Sequence, residues 1–411
     1  MDRPLEGIRV LSMEQAAALP FATRHLADLG AEVIRVESHQ RGSAAQPEPD
    51  LFRSKRRLGL DLGSPGGPEL FRRVAAGCDI VAHNFTPRVM RQFGIDYPSI
   101  RALKPDVIYL SLTGFGTTGP WGEGPLFGPG AEAVSGHNEM IGPADAWPGR
   151  PGTIVYADNT CGLNAVFAIL AALDHRDATG EGTHIDISLY ETQISHLGPV
   201  VTERSFGAPL PKRMGNGDRR YAVHGVFSTL GLDRHVAISA MREQMPALAE
   251  ALGVTLSEDG AGADLTLAAA LSARDGGQVV AALQSAGIAA AEVADASDQS
   301  ADDHLWSRGY FGLLGAGETS MPVAGPTFGG GRQVPMQPPH ALGEDNGWVL
   351  SEVAGLSAAE IAAAVESGAA GSLPAPKPRS RPTPEQIALR IDRGELSRVD
   401  EVYDGWRRHA R

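Results

Sequence analysis

A chain of 411 residues with a 42% apolar share and a formal charge of −13 exceeds the size at which one hydrophobic core keeps growing, so two domains are expected. The negative balance disfavours a nucleic-acid or anionic-membrane surface, because phosphate rewards net positive patches. The two cysteines, Cys78 and Cys161, are too far apart to read as a disulfide framework or thiolate zinc site, the 12 histidines have no ligand spacing, and the N-terminus carries no secretion pattern, so no metal and a cytoplasmic home are expected.

The first half alternates short β-type runs with helix-type segments. Strands are predicted over 8–11, 32–37, 79–82, 106–112 and 184–189, with helices over 21–29, 68–75, 98–103 and 160–176. This alternation predicts a parallel sheet covered on both faces. The apolar run 163–173 is too short to span a bilayer and reads as a core helix. Between the second and third strands, Arg53, Lys55, Arg56 and Arg57 put four positive charges into five residues just before a strand-like stretch at 58–62. Such a cluster is either a solvated turn or a holder for the phosphates of a nucleotide handle. Asn84 and Phe85 follow the strand at 79–82, where a parallel sheet presents its ligands. His83 and His137 are possible bases.

Residues 114–119 read GFGTTG and fit a dinucleotide fingerprint with Glu139 downstream. The run that follows, PWGEGP, cannot form the helix that gives those glycines their purpose, so no nicotinamide or flavin is expected. Asp158 stands immediately before the apolar helix. It reads as an N-cap by itself, and a carboxylate at a helix start can also attack a thioester beside backbone amides that stabilise an oxyanion. Residues 206–220 are Gly- and Pro-rich near Lys212 and Arg213 and form a linker; short strands at 225–229, 235–239 and 288–293 with Ala/Leu-rich helices make a smaller α/β domain over 221–325. A return linker and a helical pair, 347–354 and 357–368, occupy 326–371, and a Pro-rich connector with a final helix at 384–393 occupies 372–411.

The ordered motifs LEGIRVL (5–11), LADLGAEVIRVE (26–37), HNF (83–85) with Phe93 and Gly94, SLTGFG (111–116), GEG (180–182), DHL (303–305) and LGE (342–344) resemble those of the family III CoA-transferases, which include formyl-CoA transferases, carnitine CoA-transferases and alpha-methylacyl-CoA racemases. The resemblance implies a Rossmann-like large domain over residues 1–205 with the smaller domain beside it, and an interlocked homodimer. It places Asp158 on the family's catalytic aspartate. It also implies CoA transfer from an acyl-CoA to a small carboxylic acid through aspartyl anhydride and aspartyl-CoA thioester intermediates, with coenzyme A as substrate and no tightly bound cofactor. Ala16, Ala17, Leu60, Asn84, Phe85, Thr86 and Phe93 match CoA contacts, and Lys55 and Arg56 are the candidate phosphate partners.

Gly114, Gly116, Phe127, Gly128 and His137 are expected near the substrate. Phe127 stands where the racemases carry a histidine, which disfavours racemisation. Gly128 stands where transferases place an acid, leaving Asp158 without its usual acidic neighbour. Ala17 and Leu19 depart from the formyl-CoA transferases, and residues 217–220 replace their glycine run, which disfavours oxalate. The alternatives are a racemase or epimerase using His137, and a non-catalytic or paired subunit.

Overall fold

The computed structural model describes residues 3–41, 48–149, 155–209, 213–257, 260–315, 320–325, 336–374, 382–396 and 405–409. Lys212, most of the return linker (326–335) and most of the Pro-rich connector (375–381) lie outside these residues. The first part of the chain runs β1 (Arg9–Met13), α1 (Ala18–Asp28), β2 (Glu32–Glu37), α2 (Pro49–Phe52), β3 (Lys55–Gly59), α3 (Gly67–Ala76), β4 (Ile80–His83), α4 (Pro87–Gln92), α5 (Tyr97–Leu103), β5 (Ile108–Thr113), α6 (Gly128–Val134), α7 (Tyr156–Thr179), β6 (Thr183–Ser188) and α8 (Leu189–His196). The six strands form one parallel sheet in the order β3-β2-β1-β4-β5-β6. Strand order reverses between β1 and β4, the topological switch point at which open α/β sheets bind ligands beyond their carboxyl ends.

Alternation along each strand feeds two separate cores. Val10, Ala82, Ile108, Leu110 and Leu112 point to the face covered by α1 and α7. Leu11, Met13, Ile34, Val81 and Tyr109 point to the other, where Leu70, Phe71 and Val74 of α3 meet Val349, Leu350 and Val353 of the returning chain. Helices on both faces are what the near-continuous apolar strands require.

Two expectations change. Lys55, Arg56 and Arg57 of the basic stretch open β3 itself, paired with β2 from Val33↔Lys55 to Glu37↔Gly59, while Arg53 is the C-cap of α2; the strand forms because neighbouring acids neutralise each charge. The apolar run of α7 is not buried all round. Cys161, Ala165, Val166, Ile169 and Leu173 enter the core, while Leu163, Phe167 and Leu170 face outward.

The chain divides into two compact units, Met1–Asn138 with Arg150–Leu210 and Ser307–Arg379, and Glu139–Gly149 with Pro211–Trp306 and Ser380–Arg411. The second holds an antiparallel sheet of β7 (Val223–Ser228), β8 (His235–Ala240) and β9 (Ala289–Glu292). Its own core includes Phe227, Val236, Ile238, Leu248, Leu267 and Leu283. The antiparallel pair β10 (Phe311–Leu314) and β11 (Met321–Ala324) clusters with the first unit.

Candidate active site

The loops that leave β1 and β4 are fastened to each other at the switch point. The Gln15 N–H donates to Asn84 Oδ1 at 2.8 Å, and Asn84 Nδ2 donates to the Gln15 carbonyl at 2.8 Å. One amide side chain thus continues the parallel pairing one step past the strand ends. Ala16 next in line adopts a left-handed φ of +53°, an uncommon conformation for a residue with a Cβ that functional sites concentrate.

Two cavities open on either side of this junction. A cleft of about 160 Å³ is lined by Gln15, Ala16, Asn84, Phe85, Thr86, Thr113, Gly114, Leu126, Phe127 and Asp158 among others. A larger cavity of about 510 Å³ is lined by Arg35, Ser38, Arg41, Leu60, Asp61, Phe85 and Phe93 among others. Both linings include Gln15, Ala16 and Phe85. Of the residues singled out in the sequence, Ala16, Leu60, Asn84, Phe85, Thr86, Phe93, Gly114, Phe127 and Asp158 meet here.

Asp158 is 6% exposed and sits inside the first turn of α7; Val155, not Asp158, is the N-cap, so the expected cap role does not hold. Its side chain is therefore free to face the cleft. Burial, then the negative charge of Glu132, pushes its carboxyl up to about 6. Glu132 is fully buried in α6; its Oε1 accepts the Ala157 N–H at 3.2 Å, and Oε2 has no hydrogen-bond partner. Asp158 therefore does have an acidic neighbour, one helical turn beyond Gly128 on the same face of α6. Gly128 itself is pressed against Asp158: a Cβ there would come within 2.2 Å of Val155 Cγ1 and 2.8 Å of Asp158 Oδ1. Position 128 has no room for an acid in this packing.

Thr113, at the end of β5, is 5% exposed and brings to the cleft a buried hydroxyl without a partner. Leu126, Leu112, Val89 and Leu189 supply apolar wall. Sequence reasoning missed Gln15, Thr113 and Glu132. The first two are legible as the positions at or just past parallel strand ends; Glu132 becomes visible only once 128–134 is known to be helix.

Several candidates stand elsewhere. Lys55 is fully buried, and its Nζ donates to Glu14 Oε1 at 2.8 Å, Thr23 Oγ1 at 2.7 Å and the Pro20 carbonyl at 3.0 Å; burial brings its pKa down to about 8. Arg56 pairs with Glu32 at 3.0 Å and Asp345 at 3.2 Å and lies over the Trp348 ring. Neither lines a cavity, because sheet partners neutralise both charges. Ala17 is the N-cap of α1 and is absent from both linings.

Gly116 has a φ of +84° in a loop held by Asp186, whose carboxylate accepts the Thr117 N–H at 3.0 Å; the glycine run braces the sheet edge and is followed by no helix until Gly128. His137 stacks on Tyr156, centroids 5.2 Å apart, away from the cleft lining. His83 is buried, donates through Nε2 to Ser111 Oγ at 2.9 Å and accepts the Phe85 N–H on Nδ1. Burial drops its pKa to about 3, which leaves it a neutral prop under the Asn84–Phe85 loop.

Known proteins resemble this chain in sequence and in fold. Residues 5–346 match the model of "CoA-transferase family III". The chain is 34% identical over 254 residues to succinyl-CoA:glutarate CoA-transferase of Mus musculus, covering 59% of this chain and 58% of that protein. It is also 34% identical over 260 residues to succinyl-CoA:mesaconate CoA-transferase of Haloarcula hispanica, covering 58% and 64%. The matched span is thus less than two thirds of these relatives' length. Among solved structures, a CAIB/BAIF family protein from Brucella suis superimposes with a TM-score of 0.76 at 28% identity, over 86% of this chain and 100% of that one. The chain belongs to CoA-transferase family III.

Proposed function

We propose that this protein transfers coenzyme A from an acyl-CoA thioester to a carboxylic acid, with Asp158 as covalent nucleophile. The observation that carries the reading is a buried carboxylate, raised to about 6, opening into a cleft that shares Gln15, Ala16 and Phe85 with a larger cavity suited to a nucleotide handle. At neutral pH Asp158 is ionised yet poorly solvated, the condition for a reactive oxygen nucleophile.

In the first step an Asp158 oxygen attacks the thioester carbonyl, the C–S bond breaks, and a mixed anhydride and CoA thiolate form. The thiolate then attacks the aspartyl carbonyl, the first acid leaves as its carboxylate, and an aspartyl-CoA thioester remains. The acceptor carboxylate attacks this thioester to give the second anhydride, and the released thiolate takes the acceptor's acyl group and frees Asp158. Each step exchanges one anionic leaving group for another, so no net proton is consumed. The unpartnered Thr113 hydroxyl and the amide-rich start of α7 are the donors for the oxyanions. Leu60, Phe85 and Phe93 give the nucleotide and pantetheine apolar surface, and Arg41 lies in the same lining for a phosphate, whereas Arg35 is already paired with Glu14 and Glu37.

The racemase alternative lacks its base, since His137 lies off the cleft lining. A homodimer belongs to this proposal; the outward stripe Leu163, Phe167 and Leu170, with Phe167 75% exposed, is an apolar surface of the kind that subunit contacts cover. Incubation with acyl-CoA donors, hydroxylamine trapping and peptide mass mapping tests the reaction. Modification at Asp158 is expected, and a donor that is turned over with Asp158 unmodified contradicts it.

A further inference from the structure

We infer that His184 and Ser111 are positioning residues for the coenzyme A handle: through His83 they hold the Phe85 loop, and the hold depends on a neutral His184. The inference rests on the transferase reading above and adds to it two residues that lie outside both cavity linings.

Three neighbouring strands each turn one polar side chain to the same face of the sheet. His83 ends β4, Ser111 is its register partner in β5, and His184 lies in β6. Ser111 Oγ stands 2.9 Å from His83 Nε2 and 3.0 Å from His184 Nε2. His83 and Ser111 are buried, while His184 is half-buried.

The direction of this chain of hydrogen bonds is fixed at its inner end. A backbone N–H can only donate, so the Phe85 N–H at 3.3 Å requires a bare Nδ1 on His83. The neutral ring then carries its hydrogen on Nε2 and donates to Ser111 Oγ. The Ser111 hydroxyl is left to donate to His184 Nε2, which completes the set only if that nitrogen is bare.

A proton on His184 Nε2 removes this acceptor. Ser111 Oγ then faces two N–H donors, and its own hydrogen loses its partner in a place closed to water, which costs roughly 5- to 150-fold in an equilibrium. Turning the hydroxyl or the His83 ring away relieves the conflict and releases Phe85, which lines both cavities. Around His184, Tyr97 of α5 stacks on the ring with centroids 4.7 Å apart, Tyr109 of β5 meets it edge-on at 5.7 Å, and Arg101 lies over Tyr97. Asp186 is the nearby carboxylate, and it already accepts the Thr117 N–H and hydroxyl. Burial outweighs Asp186 and holds His184 below the ordinary histidine value, so the neutral ring prevails at pH 7.5 and is lost on acidification.

Coenzyme A binding to full-length protein, followed by titration calorimetry at pH 7.5 and 5.0, tests the inference without turnover. His184→Leu removes the acceptor and is expected to weaken binding at pH 7.5 by about fivefold or more. His184→Gln offers a carbonyl oxygen to the Ser111 hydroxyl and is expected to recover most of that loss. Between pH 7.5 and 5.0 the wild type is expected to lose about threefold or more affinity beyond the loss in H184Q, whose acceptor does not titrate. The ionisation of coenzyme A itself cancels in that comparison. By reciprocity, histidine NMR of the wild type is expected to place the His184 midpoint at lower pH with coenzyme A than without it. Wild-type affinity in H184L, parallel acid losses in wild type and H184Q, or a midpoint that coenzyme A leaves unmoved overturns the inference, while trapping at Asp158 keeps the transferase reading intact. Wild-type protein that neither binds coenzyme A nor is trapped by any acyl-CoA overturns both.

Discussion

Asp158 lives between two demands. A carboxylate raised from an ordinary value near 3.8 to about 6 weakens the folded state by its preference for the proton. The folded protein binds that proton more tightly than the unfolded chain, so stability falls as pH rises from about 4 through about 6, by at most about 3 kcal/mol. Asp158→Asn removes the charge with nearly the same shape. It is expected to abolish transfer and to raise the melting temperature at pH 7.5, with the gain shrinking to nothing near pH 4; a variant less stable than wild type at pH 7.5 contradicts the account. Glu132→Gln keeps the acceptor for Ala157 N–H and deletes the charge, so the acid limb of the kcat/KM profile moves below pH 6 without reaching 3.8, because burial still acts. An unmoved limb means that Glu132 does not touch the nucleophile's ionisation. Asp158 was legible only through the ordered motifs, since a lone acid before an apolar helix reads as a cap. Lys55 and Arg56 were misread because their neutralising partners, Glu14, Glu32 and Asp345, lie far away in sequence and become neighbours only through the sheet.

The site is a product of how elements end. Parallel strands β1 and β4 diverge at the switch point, and Asn84 ties their exit loops with two hydrogen bonds. α6 and α7 then bring Gly128 and Asp158 into contact. Introducing the missing acid by Gly128→Asp is therefore expected to inactivate the protein and to cost about 1–3 kcal/mol through overpacking, measured by urea unfolding at pH 7.5. Activity retained at the wild-type level contradicts the close approach. The strand and helix series of the large unit was readable because apolar runs and polar breaks set its period. The start of β3 was not, because charge there masks β pairing. The start of α7 was also hidden, as no capping side chain marks Val155.

At the scale of the molecule, a doubly wound sheet and a separate antiparallel sheet divide the chain, and each has its own core. Among the described residues no helix is long and apolar enough to cross a membrane. The proposed dimer makes a simple prediction: native mass measurement gives twice 43.2 kDa, and Phe167→Glu on the outward stripe shifts it toward the single-chain mass at equal concentration; an unchanged dimer moves the contact elsewhere. Alternation and turn residues foretold the sheet and the second core, whereas the half-exposed face of α7 looked like buried core because composition does not distinguish a surface covered by a partner from one covered by the same chain. The proposed reaction turns on one bond. Wild-type protein incubated with an acyl-CoA it turns over, quenched and mapped by peptide mass spectrometry, is predicted to carry coenzyme A as a thioester on Asp158 that hydroxylamine converts to the hydroxamate. Turnover with that peptide unmodified, or with the adduct on another residue, would contradict it.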